Sequence, residues 1–167
     1  ISFSGGGDNV RYYVSGQYYD ENGNPLYGWQ TINDKWYYFN KWGRMSIGWT
    51  FISGNWYYFD ANGAMQKGWI LDNMYYLNED GIMLSGWQTI DDAQYYFDGS
   101  GKKLTSCWIG NSYVLSNGKL AIDQWIGDCY VDENGLWVPS LHAYEWKTVD
   151  GKKKYYSNKT HSFVTNQ

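Results

Sequence analysis

Gly48-Trp49-Thr50-Phe51-Ile52-Ser53-Gly54-Asn55-Trp56-Tyr57-Tyr58-Phe59-Asp60-Ala61-Asn62-Gly63-Ala64-Met65-Gln66-Lys67-Gly68-Trp69 is the stretch that decides the fold. It opens and closes on the same Gly-Trp pair, so it holds one complete unit and the start of another. Two runs rich in aromatic and β-branched residues flank Ser53-Gly54, a plausible two-residue hairpin loop. Working outward, the unit recurs about every twenty residues. Gly28-Trp29 is followed by Trp36-Tyr37-Tyr38-Phe39 and Gly43, Gly68-Trp69 by Tyr75-Tyr76 and Gly81, and Gly86-Trp87 by Tyr95-Tyr96 and Gly101. Looser copies begin at Trp108 and Trp125, and Trp146 extends the ladder. Each of Tyr38, Tyr58, Tyr76, Tyr96, Tyr113 and Tyr130 precedes a Gly by five residues, an offset that suggests a positive φ in the connector. Units this short bury no core alone and must stack on their neighbours.

The expected fold is therefore all-β, a repeat solenoid of β-hairpins with essentially no helix. Residues 1–27 read as a degenerate N-terminal hairpin or cap, 28–138 as an array of six repeats, and 139–167 as a C-terminal hairpin with a polar tail. Pro139 ends the regular pattern. With Asn33-Asp34 as the first turn, Ile32 opposes Lys35, Thr31 opposes Trp36 and Trp29 opposes Tyr38. Side chains alternate faces along a strand, so Trp29, Thr31, Trp36 and Tyr38 share one face while Ile32, Tyr37 and Phe39 take the other. The second unit places Trp49, Phe51, Trp56 and Tyr58 together. The third, two residues shorter, keeps the parity around Asp72-Asn73.

The 167 residues are 21% aromatic, so the core is expected to be built from rings. The formal net charge is −4 and the longest basic run is Lys152-Lys153-Lys154, which argues against nucleic acid as a partner. No stretch reaches the ~18 apolar residues of a transmembrane span, and the first residues lack the pattern of a signal peptide, so the chain reads as an excised module or a mature product. Cys107 and Cys129 fit no zinc pattern; one bridge or two free thiols satisfy the spacing equally. His142 and His161 sit in no metal or nucleophile motif. Asp60, Asp80, Asp98 and Asp132 follow the strands at recurrent positions that suit turns better than acid–base pairs. No catalytic constellation, cofactor motif or metal site is expected.

Most rings are explained as filler between stacked units. Trp36 and Trp56, however, double the tryptophans on one face, and later units fill that position with Met74, Gln94, Ser112 and Asp128. A packing need would persist along the array, whereas a binding need can lapse. Rings at several angles form a cage for a quaternary ammonium ion, which has no hydrogen to donate and is held by ring quadrupoles and apolar contact.

The pattern Gly-Trp, six residues, Trp-Tyr-Tyr-Phe, three residues, Gly, one residue, Met, two residues, Gly-Trp closely resembles the choline-binding, or cell-wall-binding, repeat of Gram-positive bacterial surface proteins and phage lysins. The resemblance covers about residues 10–138, with Met45 and Met65 in place. It implies a left-handed superhelix with choline held between consecutive hairpins. Carried onto this chain, it implies a first site of Trp29, Trp36 and Trp56 closed by Met45 or Met65, and a second of Trp49 and Trp56 with Met74 or Tyr76. Met74 departs from the family's aromatic. The implied partner is choline-decorated teichoic acid, and the implied location is secreted, attached non-covalently to the cell wall. The glucan-binding repeats of streptococcal glucosyltransferases and the receptor-binding repeats of clostridial toxins look like the same hairpin, so a cell-surface glycan is the alternative ligand. It would stack on one ring beside hydrogen-bonding groups such as Gln30, Asn33 and Lys35.

Overall fold

In a computed structural model, residues 12–14, 17–20 and 22–164 are described. Arg11, Ser15, Gly16 and Glu21 of the expected N-terminal hairpin lie outside them, as do residues 1–10 and the last three residues of the tail. The chain forms two compact units, Ile1–Leu84 and Ser85–Gln167. Every described element is a strand or a turn.

Among its described residues, the first unit contains four antiparallel hairpins. β1 (Tyr12–Val14) pairs with β2 (Gln17–Tyr19), β3 (Gly28–Ile32) with β4 (Lys35–Phe39), β5 (Gly48–Ile52) with β6 (Asn55–Phe59), and β7 (Gly68–Ile70) with β8 (Tyr75–Leu77). Trp29 faces Tyr38, Thr31 faces Trp36 and Ile32 faces Lys35, as the turn predicts. Asn33 and Asp34 both adopt positive φ, 50° and 59°, which matches the hairpin twist to that of the strands. In the third hairpin pairing stops at Ile70 and Tyr75, because Leu71, Asp72 and Asn73 all turn left-handed. Leu71 and Met74 thus belong to the loop rather than the strands.

The second unit begins with β9 (Gly86–Ile90) paired with β10 (Ala93–Phe97), then β11 (Cys107–Ile109) with β12 (Ser112–Val114). β13 (Gln124–Ile126) and β14 (Cys129–Val131) take β15 (Trp137–His142) as a third strand; β16 (Tyr144–Val149), β17 (Lys152–Ser157) and β18 (Ser162–Phe163) form another three-stranded sheet. Pro139 therefore does not end the strand pattern. It lies in β15, an edge strand, where a residue without an N–H does least harm to the ladder. The polar tail is partly paired: Tyr156 faces Phe163, and the Val164 amide donates to the Tyr155 carbonyl at 2.9 Å.

The core corrects the emphasis on the tryptophan ladder. Among the described residues the largest fully buried side chains are Phe39, Phe59, Phe97, Leu77, Val114 and Val131, the residue after Tyr-Tyr or its equivalent in each repeat. Trp36, Trp56, Trp87 and Trp108 stay exposed. Buried rings are thus phenylalanines, and apolar aliphatics replace them where the strands shorten.

The connectors are carboxylate- and amide-capped turns. The Asp60 carboxylate accepts from the amides of Asn62 and Ala64, at 2.8 and 3.0 Å. Asp98 repeats this and also accepts from the Ser100 hydroxyl, the first of the hydrogen bonds that hold its carboxyl below the usual range. In the third unit the capping residue is Asn78; Asp80 instead donates its own amide to Asn78. At Gly81, φ is +78° and an added Cβ would stand 2.5 Å from Met65 Sδ. Gly81→Ala is expected to destabilise the first unit by about 1–2 kcal/mol through left-handed strain alone, and to displace Met65. Denaturant midpoints check this against Gly99→Ala, whose new Cβ meets nothing within 4 Å.

Cys107 and Cys129 are free thiols. They face Val114 and Ile126 in their own hairpins, and Cys129 also faces His142. Thiol titration of the denatured, non-reduced chain is expected to count two reactive groups; none would show that a bridge forms.

Candidate functional site

A cavity of about 370 Å³ opens in the first unit, lined by Trp29, Trp36, Tyr57, Met65, Lys67, Glu79 and Asp80. Trp29 and Trp36 come from the two strands of one hairpin, with ring centroids 6.2 Å apart and planes at 83°. Tyr57 comes from the next hairpin and closes on Trp29 at 4.9 Å and 68°. The rings therefore stand as walls of a corner rather than one flat platform. Met65 is brought in by the backbone, since its amide donates to the Trp36 carbonyl at 2.8 Å. That bond ties the connector of one unit to the strand of the unit before it.

Charge gathers at the rim. Lys67 lies 3.9 Å from Glu79, whose side chain is 94% exposed, and Asp80 adds a second carboxylate. Two acidic groups against one basic group leave the rim net negative, a field that favours a cation.

Of the residues expected at the first site, Trp29, Trp36 and Met65 share this cavity. Trp56 does not line it, because period-two alternation sends Trp56 to the opposite face of its strand from Tyr57 and Phe59. Hairpins stack face to back, so the tryptophan face of one meets the Tyr57 and Phe59 face of the next; Trp29 lies 5.9 Å from Phe59. Met45 pairs with Phe39 in its own hairpin, and its side chain lies where a Cβ on Gly63 would stand. Tyr57 was legible only if the alternation had been carried from one hairpin to its neighbour.

The choline-binding repeat matches residues 46–85 and 103–137, and the putative cell wall binding repeat matches 28–45 and 85–103. This chain belongs to the choline-binding repeat family. Among solved structures, choline binding protein F from Streptococcus pneumoniae is 36% identical, with a TM-score of 0.70 over 79% of this chain and 48% of its own. The choline-binding domain of CbpL from Streptococcus pneumoniae is 26% identical, with a TM-score of 0.57 over 81% of this chain and 99% of its own. The modular autolysin LytC of the same organism, in complex with a synthetic peptidoglycan ligand, is 26% identical, with a TM-score of 0.63 over 94% of this chain and 38% of its own. No curated protein matches. The chain thus spans about half the length of choline binding protein F and less of the autolysin.

A second junction of choline-binding repeats follows the first in its backbone contacts. Trp49 meets Tyr75 at 5.0 Å and 64°, and the Met83 amide donates to the Trp56 carbonyl at 2.9 Å. Trp56 leans on Phe51 at 5.2 Å, where the first hairpin has the smaller Thr31. Of the two residues expected beside Trp49 and Trp56, Met74 is in the turn and Tyr76 packs on Trp69 at 5.1 Å. In the second unit, Lys103 takes the methionine's bridge position opposite Phe97, and burial pulls its pKa below the ordinary lysine value. Asn111, not Ser112, corresponds there to Trp36, since the Trp137 amide donates to the Asn111 carbonyl just as Met65 does to Trp36.

Proposed function

We infer that this chain is a non-catalytic attachment module that holds choline on Gram-positive teichoic acids, with Trp29, Trp36, Tyr57 and Met65 as its best-formed site and the Trp49–Tyr75 junction as a second. The observation that carries the reading is the mutual angle of the rings, 83° between Trp29 and Trp36 and 68° between Trp29 and Tyr57. A sugar stacks on one face and is served by a platform. A trimethylammonium group presents methyls in all directions and is served by walls, which here carry no donor requirement. The negative rim attracts it.

Three ring contacts of up to about 2 kcal/mol each, less the cost of ordering the ligand, give an affinity on the order of millimolar to hundreds of micromolar for free choline. Firm attachment then comes from several weak sites engaging one choline-decorated polymer. On this reading the protein is secreted and held at the cell wall, and any catalytic domain of the whole protein lies outside this chain.

The glycan reading has less support, because Gln30, Asn33 and Lys35 do not line the cavity and the Gln30 amide group is engaged by the Tyr27 carbonyl at 2.8 Å. Titration with choline, followed by tryptophan fluorescence and melting temperature, tests the two together. Choline is expected to change both signals in the millimolar range. A response to dextran with none to choline would reject the cation.

A further inference from the structure

The last repeat hairpin, β13–β14, carries Trp125 at the position of Trp29, and the turn residue Asp128 at the position of Trp36. Its neighbour in the fold is the β16–β18 sheet, which presents Tyr144. Into this corner comes a side chain from the same protein. Lys159 Nζ lies 5.9 Å from the centre of the Trp125 ring, 5.5 Å from that of Tyr144, and 2.6 Å from Asp128 Oδ1.

Lys159 is placed by its surroundings. It sits in the turn between β17 and β18, next to Asn158, whose amide donates to the Ala143 carbonyl at 2.9 Å and whose side chain donates to the His142 carbonyl at 2.7 Å. β15, which ends at His142, is itself paired to β14 beside Asp128. Tyr144 is backed by Tyr155, stacked at 5.4 Å and 14°. Only 26% of the Lys159 side chain remains exposed.

The chemistry of the corner differs from the Trp29 cavity in a way that suits its occupant. A quaternary ammonium asks for rings alone; a primary ammonium has hydrogens to donate and asks for an acceptor as well. Replacement of the second ring by Asp128 supplies that acceptor, and both remaining rings lie within the ~6 Å reach of a cation–π contact. An exposed ion pair by itself would contribute little. Here the hydrogen bond to Asp128, a side chain itself 77% exposed, leads the effects that raise the Lys159 pKa, and the Trp125 and Tyr144 rings add contacts that a bare surface pair lacks.

We propose that Lys159 is a built-in ligand: its ammonium fills the aromatic site of Trp125 and Tyr144, closing that site to external quaternary ammonium ions and fastening the C-terminal sheet to the last repeat. Withdrawal of the side chain leaves two rings and a carboxylate facing an open corner, which then accepts a small quaternary ammonium cation. The inference is independent of what the Trp29 cavity binds, since it concerns other residues in the other unit.

The test follows the Trp125 indole N–H resonance of the full chain, assigned by its loss in Trp125→Phe, during titration with tetramethylammonium chloride at constant ionic strength. In the native chain this resonance is expected to stay put, whatever the tryptophans of the first unit do. In Lys159→Ala it is expected to move in a saturable way. An unmoved resonance in Lys159→Ala, or an equal shift in the native chain, would overturn the proposal. A second measurement needs no variant to fold: the Lys159 ε-methylene protons of the native chain are expected upfield of a solvated lysine through the Trp125 and Tyr144 ring currents. Their appearance at the solvated position would equally overturn it.

Discussion

Trp36→Ala is expected to weaken choline binding by about 30-fold while leaving the melting temperature of the free chain nearly unchanged. The indole is 46% exposed and contributes a wall rather than core. Its contact with Trp29, at 6.2 Å, is edge-on, so its loss opens the corner without leaving a buried void. A desolvated cation–ring contact is worth about 2 kcal/mol, and about 1.4 kcal/mol is tenfold in affinity. From a millimolar starting point that puts the first site beyond practical saturation, and any remaining response would come from the Trp49–Tyr75 junction. Isothermal titration or fluorescence with choline measures the loss, and thermal melting supplies the control. Unaltered choline binding with an intact fold would remove Trp36 from the site.

Phe59→Ala, by contrast, is expected to cause a large loss of stability. Phe59 is fully buried, faces Gly48 across its hairpin and lies 5.9 Å from Trp29 of the preceding one. Truncating a buried Phe costs about 3–5 kcal/mol through lost transfer energy and the cavity left behind. Against a total stability on the order of 5–15 kcal/mol, that is a large share. In a stacked array each hairpin is supported mainly by its neighbours, so the damage spreads to the junctions on both sides. For a unit of this size each kcal/mol moves the melting temperature by about 4–8 °C, so a fall of more than about 12 °C is expected for the first unit. Calorimetry of the whole chain would show it, and a shift of only one or two degrees would mean that the ring is not the keystone its burial indicates. Because Trp29 rests on Phe59, choline binding should fall with it.

Sequence alone determined the hairpins, their register and the presence of a tryptophan-lined binding surface. These depend on short-range rules: two-residue turns with left-handed backbones set which residues face each other, and alternation sets which share a side. Trp29 opposite Tyr38 and Trp36 opposite Thr31 follow from the turn at Asn33-Asp34 with no knowledge of the rest of the chain. The same rules put Trp29 and Trp36 on one face, whereas Met45 or Met65 as the closing residue was implied only by the resemblance to the choline-binding repeat.

What tertiary structure decided is how one hairpin lies on the next. Face-to-back stacking is set by the connector, where the Met65 amide finds the Trp36 carbonyl, and it makes Tyr57 the third wall instead of Trp56. The burial of Phe39, Phe59 and Leu77 has the same origin, since the side away from the tryptophans is the one covered by the preceding unit. The meeting of Lys159 with Trp125 and Asp128 lay further still from view. The pair Lys159 and Asp128 is 31 residues apart, joined through strands β15 to β17, and no local periodicity connects them. Turn chemistry acts over a few residues and is written in order along the chain; stacking brings together side chains whose only relation is the path of the backbone between them.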